Sequence, residues 1–423
     1  MSGLIVEHND RNLFIIQVFV HCGSMYETDG ERGLSHLLEH MLFKSKKDQS
    51  VEELLVKLNA LGGYFNAITN KDYTSFFIRT VDSNWKESVE LLNSIVLQPL
   101  FLKDELSKEK KVVMEEFLLY EDDVRDVVFS KAYETFLSVD NPYRHAVKGL
   151  LQDICKTNPK QLLSYYSKHY SNMMVYVNCS KAIKSKVIKH VKKSFGDFII
   201  DMDALQKLEN EWSPNVGQLA NNDNPIVKII SQPKRSQNAT VLMFKGFPFK
   251  NRSNITLSLI WDILAGSLNS LLMMEIREKR GLVYNISSFN DAYHNEGYTG
   301  LYFTSSTNNL ADIVIYIKRI LRRMANKGLS SHILTYSKAS FINKLQYKLT
   351  EMDFKSERSM LRHYYRCPWD ESAVLKKLHK VTNNDIMNVC KSVFNFQQCC
   401  LVSIGKYKKL DDLQADIMQT LVK

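Results

Sequence analysis

Gly33-Leu34-Ser35-His36-Leu37-Leu38-Glu39-His40-Met41-Leu42-Phe43 is an apolar, proline-free run that carries two histidines and a glutamate. Its leucines and methionine read as a buried helix starting at about Gly33. Helix residues three and four apart share a face. His36, Glu39 and His40 therefore point the same way. Two imidazoles one turn apart can grip one metal ion, and the carboxylate between them can hold and deprotonate a metal-bound water. Polar groups among Leu37, Leu38, Met41 and Leu42 are expensive to bury unless something compensates them, and a cation would do so.

A catalytic metal site usually takes a third protein ligand. Lys103 to Tyr120 reads as one amphipathic helix with an apolar stripe of Leu106, Val113, Met114, Phe117 and Leu118. On a helical wheel Glu109 and Glu116 fall together on the flank of that stripe, and Glu115 falls on the solvated face. The wheel prefers Glu116 or Glu109 over Glu115 as ligand.

His36-Leu37-Leu38-Glu39-His40 is the H-x-x-E-H signature of the inverzincins. With it the chain resembles, along essentially its whole length, the pitrilysin-like metallopeptidases, the family of insulin-degrading enzyme and mitochondrial processing peptidase, in a short two-domain form. In that family the third ligand follows the second histidine by about 76 residues and lies seven beyond another functional glutamate. Glu116 stands 76 residues after His40 and seven after Glu109. The resemblance therefore selects Glu116 as ligand and Glu109 as a supporting catalytic carboxylate, with His36 and His40 completing the metal set and Glu39 as general base.

Two further segments match. Gly62-Gly63-Tyr64-Phe65-Asn66-Ala67-Ile68-Thr69 looks like the family's edge strand, which pairs with an extended substrate and implies a substrate-binding role for Asn66 and Ala67. Arg277-Glu278-Lys279-Arg280-Gly281-Leu282-Val283-Tyr284 looks like the family's Arg and Tyr pair. By that resemblance Arg277 and Tyr284 reach the substrate backbone and stabilise developing negative charge. Asn141-Pro142-Tyr143-Arg144-His145 resembles a His-Pro-Tyr segment of the family, with His145 read as structural. The chain departs from the family at Asp122-Asp123-Val124, where a proline often follows.

The resemblance implies an α+β fold of two homologous domains, each an antiparallel β-sheet packed by α-helices. It implies one Zn2+ per chain and a zinc endopeptidase acting on peptides or unfolded protein segments. A homodimer is expected first and a heterodimer with a related subunit second. The competing class is a non-catalytic partner subunit, which would have no need of Glu39.

Composition narrows the alternatives. The 423 residues exceed one ordinary core and suggest two domains. The net charge of +10 is spread over dispersed lysines, with small clusters such as Lys44-Ser45-Lys46-Lys47 read as solvated faces. A nucleic-acid partner would want a focused basic stripe with interleaved aromatics, and none is read. No run of about 18 apolar residues suggests a membrane span. Met1 to Glu7 reads as a first strand rather than a leader, so a cytoplasmic location is expected. The seven scattered cysteines include no C-x-x-C pair and read as free thiols.

Along the chain, strands are expected at Asn12 to His21 and Tyr73 to Val81, with a helix at Trp85 to Val96. Ser50-Val51-Glu52-Glu53 forms a capping box opening a helix that ends near Gly62. Residues 205–225, rich in Asn, Glu and Asp with two prolines, read as a linker between a catalytic domain at 1–204 and a homologous domain at 226–423. In the second half Gln237 to Phe244 and Tyr298 to Thr304 repeat the strands, Ile255 to Lys279 reads as one long helix in the place of the metal helix, and Asn309 to Met324 repeats the helix at Trp85. This copy has no H-x-x-E-H.

Overall fold

The computed structural model describes residues 3–200, 218–221, 223–233, 235, 237–306, 309–407 and 410–422. The chain packs as two compact units. One comprises Met1–Tyr120 with His145–Asn215, the other Glu121–Arg144 with Val216–Lys423. The sequence places 121–144 in the first domain, whereas the packing puts it with the second. Most of the linker read at 205–225 lies outside the described residues.

The sheet of the first unit is built from β1 (Leu4–Asn9), β2 (Leu13–Val20), β3 (Tyr64–Thr69), β4 (Thr74–Val81) and β5 (Met173–Ser180), in the order β1-β5-β2-β4-β3. It is antiparallel except at one edge, where β1 runs parallel to β5 with Leu4 opposite Val175 and Asn9 opposite Ser180. The expected antiparallel sheet is thus mixed, because strands near the two ends of this unit run in the same direction. Packed on it are α1 (Leu34–Leu42), α2 (Val51–Ala60), α3 (Trp85–Leu97) and α4 (Lys103–Asp122). Ser50 caps α2 through the full capping box with Glu53. Phe14, Ile16, Val18, Leu37, Leu38, Met41, Phe76 and Val175 are among the residues of its core. Leu118, read into the apolar stripe of α4, is instead exposed, while Leu106 and Val113 are buried.

The second unit repeats this topology. Its strands are β6 (Ile226–Ser231), β7 (Asn238–Lys245), β8 (Val283–Ala292), β9 (Gly297–Ser305) and β10 (Cys399–Gly405), in the order β6-β10-β7-β9-β8. Strand β6 runs parallel to β10 and the remaining pairs are antiparallel, matching the first sheet strand for strand. Helix α5 (Val124–Phe136) belongs here. It buries Val128, Ala132, Tyr133 and Phe136, and the Tyr133 ring stands edge-on to Tyr298 at 5.4 Å. The helix expected over Ile255 to Lys279 is broken. It ends at Ala265, turns through residues 266–270, and resumes as a wider π-type coil over Met273–Glu278. The turn is polar: the Ser267 hydroxyl donates to Asn269 and the Ser270 amide returns to the Ser267 carbonyl. Such side chains compete with helical backbone bonds.

The seven cysteines are unpaired, five of them buried. Among the described residues no helix is long and apolar enough to cross a membrane.

Candidate metal centre

Helix α1 presents its apolar face, Leu34, Leu37, Leu38, Met41 and Leu42, to the core, and leaves His36, Glu39 and His40 half-buried on its other side. Helix α4 runs alongside and supplies Glu109 and Glu116, while Glu115 is exposed. His36 Nε2 lies 3.2 Å from His40 Nε2. A Glu116 carboxylate oxygen lies 3.7 Å from the first and 3.4 Å from the second. Among the described residues this is the group of three or more His, Cys, Asp or Glu side chains whose donor atoms converge, all within 4.8 Å of one another. Donors around a tetrahedral zinc at ~2.1 Å stand about 3.4 Å apart. The three separations bracket that value, and two nitrogens with one carboxylate oxygen form a donor set zinc accepts. The residues fit the ion.

The remaining contacts orient these donors. His40 Nδ1 pairs with Glu109 Oε1 at 2.9 Å, and the other Glu109 oxygen meets Lys44 Nζ at 2.5 Å. Burial opposes the His40 cation, but the Glu109 hydrogen bond and the charges of Glu116 and Glu39 outweigh it and raise the His40 pKa. Burial would raise Glu109 as well, yet His40 and Lys44 hold it below the ordinary carboxylate value. His36 has no such partner: burial, helped by the charge of His40, lowers it to about 4 and keeps its ring neutral. Glu39 is raised by burial against the pull of a short hydrogen bond from the Thr69 hydroxyl. That bond ties Glu39 to the last residue of β3, which is the edge strand of its sheet.

Asn66 is exposed on β3, where its amide donates to Tyr64 at 2.9 Å, while the Ala67 side chain turns into the core. Arg277 and Tyr284 belong to the second unit. The Arg277 guanidinium lies 5.5 Å from the centre of the Tyr284 ring, and Tyr284 is 75% exposed on β8, the edge strand of the second sheet.

Several residues of this region escaped the sequence reading. The lysine run groups Lys44 and Lys46 with solvated charges. Lys44 instead pairs with Glu109, and Lys46 is buried with its ammonium 2.7 Å from the Leu42 carbonyl. Glu27 is buried and accepts the Gly33 and Ser35 amides at the start of α1, each at 2.8 Å. The spacing of Lys44 from His40, one helical turn further on, was the available signal for Lys44. Glu27 offered none, because its partners are backbone groups.

The chain is similar to known proteins in sequence and in fold. Residues 4–147 match the family profile described as insulinase, peptidase family M16, and residues 156–341 match the one described as the peptidase M16 inactive domain. The chain is 28% identical to an uncharacterized zinc protease, YmxG, of Bacillus subtilis over 81% of both chains. It is 26% identical to an uncharacterized zinc protease of Rickettsia bellii over 82% of this chain and 81% of that one. Its fold superimposes on a protease from Helicobacter pylori with a TM-score of 0.84 at 20% identity, covering 95% of this chain and 97% of the other. A peptidase M16 inactive domain from Pseudomonas fluorescens superimposes with a TM-score of 0.83 at 17% identity over 96% and 97%. Two successive profiles of one family thus span most of the sequence, over a fold that its solved neighbours share, and the chain belongs to peptidase family M16.

Proposed function

We propose that the chain is a zinc-dependent endopeptidase that cleaves peptides or unfolded protein segments held as an extended strand. The observation that carries this reading is the convergence of His36, His40 and Glu116 donors with Glu39 on the same face of α1. The zinc-protease names of the relatives favour zinc over other divalent ions. Zinc bound by these three residues would polarise a scissile carbonyl and acidify water at neutral pH.

Glu39 accepts the proton of the attacking water at its carboxylate and returns it to the leaving amine. Burial favours its protonated form, which helps it hold the proton it must later give back. Thr69 holds the carboxylate in place. Glu109 fixes the tautomer and tilt of His40 through Nδ1, which leaves Nε2 as the donor. Edge strand β3, carrying Asn66 and Ala67, receives the substrate backbone by strand addition, which accepts many sequences. Arg277 and Tyr284 donate to the substrate backbone and to developing oxyanion charge, supplied from a second copy in a homodimer or from a related subunit in a heterodimer.

Cleavage of a mixed unfolded-peptide library tests the reading, run beside Glu39→Gln and a chelated sample. Cutting that disappears in both controls supports it. A folded, zinc-loaded chain that cuts nothing points to a missing partner subunit. A folded chain that takes up no zinc favours the non-catalytic subunit instead.

A further inference from the structure

Helix α1 is held at both ends by side chains from outside it. At the N-terminus the N-cap position, Gly33, has φ +97° and contributes no side-chain cap, and the first turn has no acidic residue. Gly33 is needed there: a Cβ would stand 2.8 Å from the Lys148 carbonyl oxygen. The open amides are taken by Glu27, whose two oxygens accept the Gly33 and Ser35 N–H groups, one each. At the C-terminus Lys46 Nζ donates to Leu42 O at 2.7 Å and to Ile95 O at 3.3 Å. Leu42 closes α1 and Ile95 lies in the last turn of α3, so one amine ties two helix ends together. Glu27 is 4% exposed and Lys46 5%.

We propose that Glu27 and Lys46 are positioning residues that clamp α1 along its axis and thereby set the separation of its histidines from Glu116 on α4. The proposal rests on the metallopeptidase reading above. The apolar face of α1 fixes how the helix is rotated, because turning it would expose Leu37, Leu38 and Met41. Apolar packing resists sliding along the axis less strictly than directional hydrogen bonds at the ends do. Metal donors come from two helices, so a slide of α1 changes the 3.4 and 3.7 Å separations to Glu116 while leaving the 3.2 Å pair within α1 intact. The clamp is built from hydrogen bonds, two accepted by Glu27 and two donated by Lys46. Burial pushes Glu27 up to about 8 and pulls Lys46 down to about 8. A neutral amine still carries two N–H donors, and the carbonyl oxygen of a protonated carboxyl still accepts.

The test uses full-length Glu27→Gln and Lys46→Met. Gln offers one acceptor oxygen where two are needed, and Met keeps the length of Lys without its donors. Asn84→Ala is the control, since Asn84 donates to Leu61 O at the end of α2 and so removes a helix-end bond away from α1. Zinc affinity is measured by chelator competition, and the visible absorption of the cobalt-substituted protein reports ligand geometry. Both test variants are expected to bind zinc about tenfold more weakly and to shift the cobalt spectrum, with Asn84→Ala unchanged in both. Should Glu27→Gln not fold, Lys46→Met alone decides the matter. Variants that lose thermal stability but match the wild type in zinc affinity and cobalt spectrum would overturn the clamp. Wild-type protein that binds no zinc would sink the metallopeptidase reading and this proposal together.

Discussion

His40 and Glu109 meet at 2.9 Å through Nδ1 and Oε1, which turns the other ring nitrogen of His40 toward His36 and Glu116. A histidine oriented this way is a fixed ligand rather than a rotating one. Glu109→Gln can present its amide nitrogen to the ring and weakens the grip of Lys44. Zinc affinity is expected to fall about 10–100-fold, read by chelator competition, with kcat falling alongside.

Glu39 touches Thr69 and stands beside the converging donors without being one of them. Glu39→Gln is therefore expected to keep zinc while losing about 10²–10⁴-fold in kcat. Metal content and peptide hydrolysis measured on the same sample separate the two. Loss of both together would mean that Glu39 is structural.

The carboxyl of Glu27 is raised by burial from 4.5 to about 8. Between those values the folded chain holds a proton that the unfolded chain releases, so this group's contribution to stability is complete below about 4.5 and is lost as pH rises through about 8. Gln has no such titration. The stability advantage of the wild type over Glu27→Gln should shrink between pH 5 and 8, by at most about 1.4 kcal/mol per pH unit, and be flat above. Denaturant unfolding at several pH values checks it.

Leu38 is fully buried on the apolar face of α1, on the opposite side from His36, Glu39 and His40. Leu38→Ala should cost about 2–5 kcal/mol of stability, measured by denaturant unfolding of the metal-free protein. Because the cavity opens under α1 rather than at its ends, helix register should survive and zinc affinity should change less than in Lys46→Met.

Much of this was legible locally. Once Leu34–Leu42 is a helix, the spacing of His36, Glu39 and His40 puts them on one face. The Ser50 capping box and the strand at Thr74 are short-range signals that the packing keeps. The wheel separated Glu109 and Glu116 from Glu115 because helical phase is set by sequence alone. The features that were not legible depend on distant partners. Strand β1 finds β5 far along the chain and lies parallel to it, which no local pattern encodes. Lys46 looks solvated in a run of lysines, and only the ends of α1 and α3 make it a buried donor. Leu118 follows the helical period of α4 but lies where nothing covers it. The break at 266–270 misled in the opposite way, since the hydrophobic period continues across residues whose hydroxyl and amide groups interrupt the helix.

Because the chain leaves the first unit at Glu121 and re-enters it at His145, synthesis does not deliver the two units one after the other. The first sheet waits for β5, emerging after residue 173, before β1 has a partner, and by then Val124–Phe136 has already left the ribosome with its apolar face meant for strands not yet made. A fragment ending at 204 would complete its own sheet and still carry Val128, Tyr133 and Phe136 without a surface to cover them. The chain is thus stitched rather than merely joined, and cutting it after residue 204 should give a sticky first half rather than a clean one, visible as aggregation of that fragment when expressed alone.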